Sequence, residues 1–76
     1  MQELLYCANS GKSWAAERAQ VALQIAEALQ QGQIDPSEAR ELLEDLVRTD
    51  KLDAEADDIH VKTMLVTGIY AVIQVI

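Results

Sequence analysis

Residues 64–76 read MLVTGIYAVIQVI; ten of the thirteen are apolar, the exceptions being Thr67, Gly68 and Gln74. How this stretch is hidden from water decides the fold. About thirteen apolar residues fall short of the roughly 20 that a membrane-spanning helix needs. The stretch therefore reads as a buried or interfacial element. Two conformations compete for it. As the end of a helix over 54–75, it is apolar on nearly every side, which implies burial on nearly every side. As strands, its Val, Ile, Thr and Tyr suit an extended chain, with Thr67 and Gly68 turning a hairpin between 61–66 and 69–76. No period-two alternation supports the strands, and Thr-Gly is a weak hairpin signal beside Asn-Gly. The helix is the preferred reading.

Working back from this segment, the chain divides into short amphipathic pieces. Glu55, Asp57 and Asp58 stand at the start of the last helix, where carboxylates complement the helix dipole. The apolar phase breaks after Val47. Continuing the preceding helix would bring Asp50 and Asp53 onto its apolar side and move Leu52 off it. A turn over 49–53 is expected, with Thr49, Asp50 or Asp53 as the next N-cap.

The strongest local signal lies at 34–38, IDPSE. Asp35 suits an N-cap, Pro36 the first helical position, and Glu38 the third position of a capping box. The helix that follows, 36–48, places Ala39, Leu42, Leu43 and Leu46 at helical spacing. Before it, Ser13 is a candidate N-cap for a helix over 14–31. That helix groups Trp14, Val21, Ala22, Ile25, Ala26 and Leu29 on one side, with Arg18 interrupting, and Gly32 at its C-terminal end. Only Gln33, Ile34 and Asp35 join the two helices, which makes them an antiparallel hairpin. Residues 1–12 form a short helix or arm, with Leu4 and Leu5 inward and a turn at Asn9, Ser10 and Gly11.

The chain has 76 residues, a net charge of −7, three aromatic residues, one cysteine and one histidine. A chain this short buries only about 60% of its unfolded surface. Cys7 alone makes no internal disulfide, and one Cys with one His argues against structural zinc. Oligomerisation is the remaining common route to stability. The charge argues against binding nucleic-acid phosphates and against an anionic membrane surface. No basic region followed by an apolar run opens the chain, so no targeting segment is read and the cytoplasm is the expected compartment.

No motif for chemistry holds together. Gly11, Lys12 and Ser13 resemble the end of a phosphate-binding loop, but the earlier glycine it needs is Tyr6. Asp53, Glu55 and Asp57 alternate like the start of a calcium loop, but its sixth and twelfth positions are Asp58 and Met64. Asp57 and His60, three apart, form a potential acid–base pair without a nucleophile. Cys7 reads as a small packed side chain. No catalytic residue, cofactor or metal is expected.

Two surfaces are singled out instead. Trp14, Leu65, Ile69, Tyr70, Val72, Ile73 and Ile76 are the candidate interface; Val61 and Val75 are further residues of the side of the last helix that a hairpin leaves bare. Glu41, Glu44, Asp45, Asp50, Asp53, Glu55, Asp57 and Asp58 form an acidic belt opposed only by Arg48 and Lys51. The expectation is a single small all-α domain over 1–76. It comprises a helical hairpin plus a hydrophobic C-terminal helix, three to four helices in all, completed by oligomerisation. Its overall look resembles the small acidic helical proteins common in phages and mobile elements; for a phage-encoded chain the compartment would be virion or host cytoplasm. The expected function is a non-enzymatic oligomerisation or assembly module. The alternative is a small acidic regulator that binds a basic protein.

Overall fold

The computed structural model describes residues 2–48 and 50–76, with Asp50, Lys51 and Asp53 described as backbone only. The described chain is all-α. Four helices have seven residues or more: α1 (Gln2–Ala8), α2 (Ser13–Gln30), α3 (Pro36–Arg48) and α5 (Ile59–Gln74). A six-residue helix, α4 (Asp50–Glu55), lies between the last two. The strand reading of 61–76 is thereby set aside. The apolar run is one continuous helix.

Local chemistry fixes the ends. The Glu38 N–H donates to Asp35 Oδ1 at 2.8 Å, so Asp35 caps α3 as its sequence implies. At the end of α2 the Gln33 N–H donates to the Ala28 carbonyl at 2.9 Å and the Gly32 N–H to the Leu29 carbonyl at 3.1 Å. This paired pattern is a Schellman motif. It needs a left-handed residue, and Gly32 supplies it at φ 75°. Ser13, expected as the cap of α2, is instead its first helical residue; Lys12 holds the extended cap position. The hydroxyl upstream is the one engaged: Ser10 Oγ donates to the Cys7 carbonyl and accepts from the Lys12 N–H.

The expected helix over 54–75 is divided. Residues 56–58 leave the helix, and Asp58 caps α5 by accepting from the His60 and Val61 N–H groups at 3.0 and 3.1 Å. Of the caps expected there, Asp50 lies inside α4, Asp53 likewise, and Thr49 lies outside the described residues. The break rephases the chain. Leu52, which continues badly from α3, becomes 1% exposed in its own short helix.

Packing is set by close approach. α2 buries Trp14, Ala15, Ala19, Ala22 and Ile25. Its centre is thus a line of alanines, and Val21, expected inward, is 41% exposed at the edge. Likewise α3 buries Ala39 and Leu43 while Leu42 faces out. α1 runs antiparallel to α5. Leu4 lies against Gly68, Cys7 Sγ reaches the Val61 carbonyl at 3.6 Å, and the Tyr6 ring meets His60 edge-on. A Cβ at Gly68 would stand 3.0 Å from Glu3 Cβ and from Leu4 Cγ and Cδ2. Gly68 is therefore the notch in which α1 rests.

That contact changes how the apolar segment is hidden. The hairpin α2–α3 and α1 all pack against α5; of the side expected to meet a second chain, Val61, Leu65, Ile69 and Val72 are covered within the molecule and Val75 stays exposed. Val61, Leu65, Gly68, Ile69 and Val72 are all buried within the molecule.

Candidate functional site

Four of the seven candidate interface residues belong to the core. Leu65 and Ile69 are 0% exposed, Val72 6% and Trp14 7%. Ile73 and Ile76 are half-buried against the same cluster. Tyr70 alone stands out clearly, at 46%. Of the two further residues, Val61 is buried and Val75 is 84% exposed. Nor is the end of α5 buried all round: Tyr70, Ala71, Gln74 and Val75 are exposed. Three neighbouring helices, α1, α2 and α3, pack against one broad side of α5.

The bare side is a different stripe of the same helix. Ile59, Thr63, Val66, Tyr70 and Ile73 follow one another at alternating steps of four and three, which keeps them in line along a helix; Ile59, Thr63 and Tyr70 are exposed, while Val66 and Ile73 are half-buried against the core at its edge. Ile59 is 83% exposed. Thr63 Oγ1 donates to the Ile59 carbonyl at 2.8 Å, so its polar atom is engaged within the helix. Beside them lies a shallow open groove of about 360 Å³, lined by Ile59, Lys62, Thr63, Val66 and Thr67. Helix α5 contains no Asp or Glu, although the chain has 13. The sequence carried this signal as the acid-free run after Asp58. Apolar content alone could not show which side of the run α1 would cover.

The acidic belt is only partly a free surface. Two of its members clasp the link between α4 and α5 onto the start of α2. Glu55 pairs with Arg18 at 3.0 Å. Asp57 accepts the Trp14 indole N–H at 3.1 Å and lies 3.4 Å from Lys12 Nζ. Arg18 also donates to the Trp14 carbonyl. The indole hydrogen bond, and then the Lys12 ammonium, hold the Asp57 carboxyl below the usual carboxylate range. Asp58 serves as the α5 cap, and Glu44 pairs with Arg48 within α3. Glu41 and Asp45 remain exposed. The side chains of Asp50 and Asp53 lie outside the described residues.

The groups considered for chemistry are drawn apart. Asp57 faces Trp14 and Lys12, whereas His60 packs against Tyr6 on α1. The carboxylate and imidazole are thus engaged on different neighbours. Gly11, at φ 80°, turns the chain between α1 and α2. Cys7 is 0% exposed, and burial pushes its thiol up from the ordinary value. Among the described residues no group of three or more His, Cys, Asp or Glu gathers where it could hold a metal ion. No helix among them is long and apolar enough to cross a membrane.

The chain matches no family model, no curated protein and no solved structure. The outer stripe of α5 is accordingly judged on its own chemistry.

Proposed function

We propose that this protein is a non-enzymatic interaction and assembly module that works through the outer stripe of α5. One observation carries the reading. The outer face of α5, in a chain of charge −7, leaves Ile59 and Tyr70 exposed in line with Thr63, with no carboxylate along sixteen residues. Surfaces that need only water are usually charged and mixed in sign, whereas contiguous apolar stripes mark contacts.

The test is molar mass by light scattering over a wide range of protein concentration, for wild type and for Ile59→Asp. Ile59 is exposed and stands in the first turn of α5, where a carboxylate is tolerated. The variant should keep its helical circular dichroism and lose concentration-dependent association. Wild type that stays monomeric at about 1 mM, the scale of the weakest useful affinities, overturns the self-assembly reading.

A second reading has its own observation. Glu41 and Asp45 stand exposed on α3, away from the clasp and the cap. Among the described side chains of the belt they are the ones placed to meet a basic partner. Binding of a Lys- and Arg-rich helical peptide would then weaken steeply with salt and fall away in Glu41→Gln/Asp45→Asn. Equal binding by that double variant sinks this reading.

A further inference from the structure

We draw no further inference here: the strongest candidate, the surface patch on the outer face of α5 where Ile59, Thr63 and Tyr70 stand exposed beside a shallow groove, carries none because nothing in the structure shows what covers it.

Discussion

Gly68 is the residue at which the fold turns. In the middle of an exposed helix, glycine costs about 1 kcal/mol relative to alanine. Here the missing side chain makes room for α1, since a Cβ would sit 3.0 Å from Glu3 Cβ and from Leu4. Glu3 Cβ is fixed to its backbone and cannot swing aside. Overpacking of this kind costs about 1–3 kcal/mol, which outweighs the propensity gain. Gly68→Ala is therefore expected to lower the urea midpoint. A higher midpoint would show that α1 gives way freely. Gly68→Val adds more volume and should undock α1, which makes Cys7 its reporter. The thiol lies on the inner face of α1, against α5, at 0% exposure, so its labelling should rise about tenfold or more as local opening becomes easier. Labelling at the wild-type rate would mean that α1 is not held at this notch. Gly32 is a simpler case. Its φ of 75° carries the Schellman turn, in open space. Gly32→Ala should cost about 1–2 kcal/mol through backbone strain alone.

Among the helices, the caps show which boundaries are local. Asp35 and Asp58 each accept backbone N–H groups at the head of a helix, one for Asp35 and two for Asp58. Replacing an N-cap aspartate by alanine costs about 1 kcal/mol, up to about 2. Asp58→Ala is expected at the upper end and Asp35→Ala near the middle, both read as lower urea midpoints with unchanged slope. Equal, negligible losses would mean that water replaces these caps without penalty. Asp35 was legible because Pro36 and Glu38 complete its pattern. Asp58 was hidden among Glu55, Asp57 and other acids, any of which suits a helix start. What selects it is the need of α4 to bury Leu52 while α5 buries Val61 and Leu65. One continuous helix cannot present all three to the core in the right phase, so the chain leaves the helix at 56–58.

For the molecule as a whole, the surface area and dimensions are those of a compact single chain. The accessible surface is 4812 Å², against about 4,600 Å² for a folded monomer of this mass. The radius of gyration is 11.6 Å, against about 11.4 Å for a compact chain of this length. Within the single chain, Val61, Leu65, Ile69 and Val72 of the hydrophobic C-terminal helix are already buried. A change at Ile69 therefore perturbs the chain's own core, whereas a change at Ile59 alters its surface.

The clasp at Asp57 gives the molecule an acid-sensitive contact. Its folded carboxyl titrates below the ordinary value near 4. The stabilisation is present above that ordinary value and is lost as pH falls through the folded one. Lowering the pH below about 4 should therefore free the Trp14 indole and shift its fluorescence to the red. In Asp57→Asn the amide oxygen still accepts from the indole, but the charge facing Lys12 is gone. That titration should flatten. A wild-type titration in Asp57→Asn would assign the transition to another carboxyl.

The order of amino acids by itself determined the helical class, the hairpin of α2 and α3, and the Asp35 and Gly32 boundaries. Each depends on chemistry within a few residues, such as a capping oxygen, a missing N–H or a left-handed glycine. It also marked 64–76 as a segment that must be covered. Only the tertiary structure decided what covers it. A seven-residue helix from the other end of the chain fits against Gly68, a contact between residues more than sixty apart. No local pattern encodes a partner that distant, because helical periodicity fixes which residues share a face but not which face meets a neighbour. In the folded chain Leu65, Ile69 and Val72 are core, and the side left open carries Ile59, Thr63 and Tyr70.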